Sequence, residues 1–392
     1  MTARPTRPAP PGAVVALPTP AEAKENLRRI LARGSVNLGA VSGIERLLLM
    51  VTRSCHLRCG YCFVAKSEAG PSLPPPLAHR AIDLLMGSER PKLELQLFGG
   101  EPTSRWDLVT DVVTYAEGHP ARGGRELHFV LTTNGVSLDG ERVAWLADHP
   151  VTVLFSLDGD ATAHRRYRPV HRGADASWRE DDAATWTRID RSVDLLLAQP
   201  ALRWFANIVL PPAAAEEIEA RYAWALARGV PALQLNYAVG MLWDPAATRT
   251  FLTGLAAVLL HDHQHPGGPR LFNWASDCEP VMLSDDLIVD VDGTVLHDGA
   301  IFLERRFPAL RAAYHRGHIA TLDAFDPLRW PLATIFEHMV ESAPKGSVER
   351  RIILQNAALG AAVDLLIQRL ARALGRPLSR GAASAGEHGD PR

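Results

Sequence analysis

Cysteine is nearly absent from this chain. Four occur in 392 residues, at Cys55, Cys59, Cys62 and Cys278. Once the first three are used together, the only other thiol lies more than two hundred residues away, so no fourth sulfur ligand is available locally. Lysine is also scarce, at Lys24, Lys66, Lys92 and Lys345, and the remaining basic residues are arginine, which reads as a coding bias. Neither sign of charge dominates: 42 basic and 44 acidic residues leave a net charge of −2. That balance leaves no electrostatic footprint for nucleic acid or an anionic membrane. No apolar run approaches the roughly 20 residues of a membrane span. The proline-rich stretch from Met1 to Pro20 lacks the apolar core of a signal peptide. These absences predict a cytoplasmic protein, in a compartment where thiols stay reduced.

What is present is concentrated. The run Cys55-His56-Leu57-Arg58-Cys59-Gly60-Tyr61-Cys62 packs three thiols into a C-x3-C-x2-C spacing. Such a run can hold three corners of a cubane iron-sulfur cluster and leave the fourth iron open for chemistry. The alternative is a structural zinc site completed by Cys278 or His56, since zinc favours four sulfur and nitrogen ligands. Six apolar strand candidates, Arg46 to Thr52, Leu93 to Phe98, Glu126 to Thr132, Val151 to Ser156, Arg203 to Leu210 and Ala232 to Tyr237, alternate with helical patterns. Alternation of this kind predicts a parallel sheet with crossover helices.

The cysteine run with an aromatic residue before its last cysteine resembles that of the radical S-adenosylmethionine (SAM) enzymes. Three more motifs follow in that family's order: Gly99-Gly100-Glu101-Pro102, Thr132-Thr133-Asn134-Gly135 and Ser156-Leu157-Asp158-Gly159. Ser156 to Gly159 followed by His164 and Arg168 is similar to the branch of anaerobic sulfatase-maturing enzymes and SPASM-type peptide maturases. The resemblance implies an α/β fold, a partial (β/α)6 TIM-type barrel with a small C-terminal α+β cap. In such barrels catalytic groups sit at the carboxyl ends of strands, and each motif starts where its strand stops. It also implies one [4Fe-4S] cluster on Cys55, Cys59 and Cys62 and S-adenosyl-L-methionine as cofactors.

By the same resemblance, Gly99 and Gly100 let backbone approach the methionine ammonium and Glu101 accepts from it. Ser156 and Arg168 contact the methionine carboxylate, and Thr133 and Asn134 stand near the ribose. Tyr61 and Phe63 lie near the adenine, unless they are ordinary loop anchors. The expected organisation is an N-terminal extension, partly disordered, at 1–43, a barrel at 44–244, a SPASM-like remnant cap and helix at 245–375, and a disordered tail at 376–392.

In that second region Cys278 and Asp290-Val291-Asp292-Gly293-Thr294-Val295 keep the SPASM outline, while His297-Asp298 stands where the next cysteine would be. Too few cysteines remain for an all-cysteine auxiliary cluster. Cys278 is a candidate hydrogen-atom donor to a substrate radical, against the alternative of a small buried apolar residue. Asp298 is a candidate substrate-facing base, against the alternative of a surface turn. His261-Asp262-His263-Gln264-His265 reads as a solvated helix end favoured by the dipole, and Ser284-Asp285-Asp286 as a polar turn. The expected activity is hydrogen abstraction from a ribosomal peptide, giving a crosslink, an epimer or an oxidised side chain. The alternatives are the same chemistry on an amino acid, sugar or nucleoside, and a non-catalytic scaffold. Expected partners are an electron donor such as flavodoxin or ferredoxin and, because the first 43 residues are few for a peptide-binding module, either a separate peptide-recognition protein or help from the proline-rich N-terminus itself.

Overall fold

The computed structural model describes residues 15–33, 43–66, 69–170, 181–276 and 280–380. Six parallel strands form its centre: β1 (Arg46–Thr52), β2 (Lys92–Gly99), β3 (Glu126–Thr133), β4 (Val151–Ser156), β5 (Arg203–Leu210) and β6 (Ala232–Tyr237). Each is followed by helical structure, and neighbouring strands pair in sequence order. The sheet is a partial barrel of the TIM type.

Strand alternation divides its two faces. Leu93, Leu95 and Leu97 of β2 and Leu127, Phe129 and Leu131 of β3 are buried, giving the apolar surface that crossover helices need. The intervening positions are largely polar. Arg46 donates to Gln96 Oε1, Gln96 donates to Thr132 Oγ1 at 3.1 Å, and Asn236 donates to Asn207 Oδ1 at 2.8 Å. A polar ladder therefore crosses the inner face, where unpaired groups would be costly. Helix starts are set locally: Asp139, Asp160, Asp181 and Asp244 each accept from first-turn amides.

The C-terminal region is α+β and extends the barrel's own sheet. After the short strands β7 (Arg270–Leu271) and β8 (Ala275–Ser276) come β9 (Leu287–Val289), β10 (Thr294–His297) and β11 (His315–His318). β9 pairs parallel with β1, β10 returns antiparallel to it, and β11 forms the far edge. A last short strand, β12 (Ser379–Arg380), pairs with β8. The expected boundary at 244 thus falls between β6 and the helix Pro245–Gln264, yet the sheet runs across it.

Both ends contain more structure than the sequence suggests. Pro20–Arg33 is a helix packed on the long helix Val348–Leu374. Asn26 Nδ2 donates to the Ala361 carbonyl at 2.9 Å and to Asp364 Oδ2 at 2.8 Å. At the other end Arg376, placed in the expected tail, lies 4.5 Å over the Trp274 ring and bonds Asp262 at 3.1 Å. Among the described residues no helix is long and apolar enough to cross a membrane.

Candidate active site

The cysteine loop leaves β1 at the carboxyl edge of the sheet. Its path is fixed from two sides. Arg53 N–H donates to Pro71 O at 2.8 Å on one side, while Arg58 and Gly60 N–H donate to Pro169 and Tyr167 carbonyls at 2.7 and 2.9 Å on the other. Leu57, fully buried, pins the middle. Cys55 and Cys59 are buried and Cys62 is half-buried.

The paired glycines serve this loop directly. Gly99 has φ +139, and a Cβ on Gly100 would stand 2.1 Å from the Ser54 carbonyl oxygen. Their absence of side chains lets Gly100 and Glu101 N–H donate to Thr52 and Ser54 carbonyls at 2.7 and 2.8 Å. Here the glycines bring strand end against cysteine loop, a backbone contact distinct from the expected one with a ligand.

Glu101 is fully buried and occupied internally. Oε1 accepts from Thr103 N–H at 3.0 Å, Thr103 Oγ1 at 2.6 Å and Thr133 Oγ1 at 2.7 Å, and Oε2 accepts from Asn134 N–H at 2.7 Å. The carboxylate therefore laces the ends of β2 and β3 together, with remaining acceptor capacity on Oε2. Asn134 Oδ1 accepts from Val136 N–H at 2.9 Å, and its Nδ2 points at Cys55 Sγ, 3.8 Å away. Asn134 thus reaches the cysteine loop, while Thr133 holds Glu101.

Arg168 is 4% exposed and stands beside Asp158, which is 2% exposed. Tyr61 bridges them: its hydroxyl donates to Asp158 Oδ2 at 2.6 Å and accepts from Arg168 Nη1 at 3.3 Å. Among the described residues Arg168 Nε has no partner, so this buried cation keeps a donor in reserve. Burial disfavours the Arg168 charge, but the neighbouring Tyr61, Cys59 and Asp158 outweigh it and raise its pKa. Burial also holds the Tyr61 phenol well above its usual range. Beside it, burial and the Arg168 charge lower His164 to about 4. Tyr61 is thereby a loop anchor through its hydroxyl. Phe63 packs against Phe98 and Phe302 with ring centroids 6.0 and 4.9 Å apart. Ser156 is half-buried at the end of β4, next to Asn207 in register.

A cleft opens beside this rim, lined by Tyr61, Cys62, Phe63, Met241, Phe302 and Arg306. The C-terminal region closes one wall through the helix Gly299–Leu303. Arg53 fastens that region to the cysteine loop, pairing with Asp290 at 2.7 Å and Glu304 at 2.7 Å. Glu304 in turn accepts from Ala65 N–H at 3.1 Å.

Asp298 does not face this cleft. β10 runs antiparallel to β9, which starts beside the start of β1, so the chain arrives at Asp298 on the amino edge of the sheet. There its N–H donates to the Asp286 carbonyl at 3.1 Å, and burial together with the Asp286 charge raises its pKa well above the usual carboxylate range. A substrate-facing base is excluded by position. Asp285 and Asp286, expected as a polar turn, form ion pairs with Arg329 at 2.6 Å and Arg46 at 3.0 Å. Cys278 lies outside the described residues. In the histidine cluster, Asp262 is buried and accepts from Trp274 Nε1 at 2.8 Å, which makes it an anchor of the helix end.

Lys66 carries a contact that sequence reasoning missed. Its Nζ donates to Cys55 Sγ at 3.3 Å. The available signal was its rarity, as one of four lysines in the chain. Arg53 and Arg306 carried no such mark among so many arginines.

Residues 49–181 match the sequence model of the Radical SAM superfamily. That match runs from β1 past the end of β4 and takes in the cysteine loop. It is 34% identical over 141 residues to the GTP 3′,8-cyclase of Paenarthrobacter nicotinovorans, a match covering 33% of this chain and 38% of that protein. Matches of this kind span 29 to 40% of the curated relatives' own lengths. The fold is similar to anSMEcpe with bound AdoMet and Kp18Cys peptide, with TM-score 0.66 and 15% identity, over 84% of this chain and 99% of that one. It is also similar to Streptococcus suis SuiB bound to precursor peptide SuiA, with TM-score 0.54 and 16% identity, over 81% and 72%.

The superfamily's cofactors are a [4Fe-4S] cluster and SAM, and the residues present fit them. Among the described residues no three His, Cys, Asp or Glu groups are gathered so as to hold one metal ion. Three thiols on one loop, each free to meet a different iron, suit a cluster better than a mononuclear zinc centre. Lys66 and Arg168, both adjacent to the thiols, supply positive charge where an anionic cluster and a carboxylate would lie.

Proposed function

We propose that this enzyme cleaves SAM reductively at a single cluster and removes a hydrogen atom from a peptide. The observation that carries the cofactor half is the convergence of Cys55, Cys59, Cys62 and the Arg168–Tyr61–Asp158 group on one rim. When bound, the reduced cluster and SAM supply a 5′-deoxyadenosyl radical. The chain's own residues position and shield. Cys55, Cys59 and Cys62 would hold the cluster, and Arg168, with Ser156 nearby on β4, would receive the methionine carboxylate through a charge-assisted bond. Phe63, Phe98 and Phe302 form an apolar wall that excludes water from the radical's path.

The peptide half is supported by likeness over nearly the whole length of anSMEcpe, a protein described with a peptide bound. A second reading, a nucleotide or other small molecule as substrate, is favoured by the match to a GTP cyclase. An electron donor such as flavodoxin or ferredoxin and a separate peptide-recognition protein belong to the first reading.

Anaerobic reconstitution tests the cofactor half. About four irons and four sulfides per chain are expected, with slow release of 5′-deoxyadenosine under dithionite; about eight irons would refute a single cluster. Mass spectrometry then separates the substrates. A mass change in candidate peptides supports the first reading, and consumption of nucleotides with no change in peptides replaces it by the second.

A further inference from the structure

The three thiols are not equivalent. Cys55 Sγ accepts from Lys66 Nζ at 3.3 Å, from Leu57 N–H at 3.4 Å and from Asn134 Nδ2 at 3.8 Å. Cys62 Sγ instead faces a carbonyl, Val64 O, at 3.8 Å. The polarity at Cys55 is built from three separate places: the loop itself, the end of the loop and the end of β3. Only one of the three donors carries a charge. Lys66 sits close enough to Cys59 and Cys62 that all three sulfurs act on it, and no carboxylate bonds it among the contacts described around the loop. In most proteins a lysine is a solvated surface group. Here its ammonium is turned inward onto a sulfur.

A cubane held by three thiolates becomes more negative by one charge on reduction. A fixed cation beside a ligand sulfur stabilises the reduced form more than the oxidised one, and hydrogen bonds to cluster sulfurs act in the same direction. Low dielectric strengthens both effects. We propose that Lys66 sets the reduction potential of the cluster, holding it high enough for a physiological donor to reduce through its contact with Cys55. Lys66 is on this account a positioning and tuning residue, and it touches no substrate. The inference rests on the cluster being bound at Cys55, Cys59 and Cys62. It concerns how readily that cluster takes an electron, whatever the substrate.

The test is a redox titration of the reconstituted full chain without SAM or substrate, following the reduced cluster by electron paramagnetic resonance. Iron and sulfide are counted in every sample. Lys66→Met keeps the length of the side chain and removes the charge, whereas Lys66→Arg keeps the charge. At a fixed ambient potential, Lys66→Met should lower the reduced-to-oxidised ratio at least tenfold, a downward shift of about 59 mV for one electron. Lys66→Arg should restore most of the difference. A Lys66→Met protein with full iron content and an unchanged ratio overturns the proposal. So does a pattern in which Lys66→Met and Lys66→Gln hold no cluster while Lys66→Arg does, since the cation is then a condition of assembly. Failure of the wild-type chain itself to take up iron would refute the cluster reading instead, which separates the two.

Discussion

At the scale of single residues, the buried cation Arg168 is the group proposed to receive the SAM carboxylate. It is held by Tyr61 and Asp158 and keeps an unpartnered Nε. Arg168→Ala should weaken SAM binding by about 1.5–3 kcal/mol, the range for a hydrogen bond to a charged group. Tyr61→Phe removes the bridging hydroxyl but leaves the guanidinium, and should weaken it less. Equilibrium binding of SAM to both reconstituted variants checks the order; equal affinities for wild type and Arg168→Ala would remove Arg168 from the site. Which residues belong to the rim was legible in the sequence, because motif residues follow strand ends and strand ends define one edge. What each does there was less so. Glu101 and Asn134 are recognisable as motif members, but that they lace β2, β3 and the cysteine loop together depends on side-chain directions that no spacing encodes.

At the scale of elements, the six barrel strands were readable because each is an apolar run bounded by turns, and β1, β4, β5 and β6 occupy the residues expected. The hairpin β9–β10 was readable as strands around Asp292-Gly293. Its place was not, since pairing with β1 is a contact between distant segments and leaves no local trace. That pairing carries His297 and Asp298 to the amino edge, away from the chemistry. His297 is fully buried and stacks on Trp330 with centroids 5.0 Å apart. Burial, helped by the Arg316 charge, lowers its pKa to about 4, against about 6.5 in an unfolded chain. Between those values the unfolded chain binds a proton that the folded chain does not, so stability falls as pH falls, by about 1.4 kcal/mol per pH unit. Asp298, raised by burial, works in the opposite direction, so the informative quantity is a difference between proteins. His297→Phe keeps the ring and removes the titration. Urea unfolding at pH 7 and pH 5 should show wild type losing about 2 kcal/mol more than the variant over that interval. An identical pH dependence in both would mean that His297 is not held neutral.

At the scale of the whole molecule, the two ends of the described chain brace the cleft. The helix Pro20–Arg33 packs on the helix Val348–Leu374, which also packs against the helix Pro245–Gln264. From the long helix the buried Asn356 side chain reaches the cleft wall. Asn356 Oδ1 accepts from Gly240 N–H at 2.9 Å, and its Nδ2 donates to the Met241 carbonyl at 2.8 Å. Gly240 has φ +80, a conformation in which the loop leaving β6 turns sharply. Both loop residues line the cleft with Tyr61 and Cys62. The amide of Asn356 thus takes the place of a strand partner for a loop that has left its sheet. Asn356→Ala leaves one buried donor and one acceptor unsatisfied, at about 1–3 kcal/mol each, so a total loss of about 2–6 kcal/mol is expected in urea unfolding. The loss should be local as well as global. Hydrogen exchange should quicken at Gly240 and Met241 while β1 to β4 keep their protection below the unfolding transition. Unchanged exchange at Gly240 would show that the loop is held by the barrel alone, and the C-terminal helix would then have no hold on the shape of the cleft.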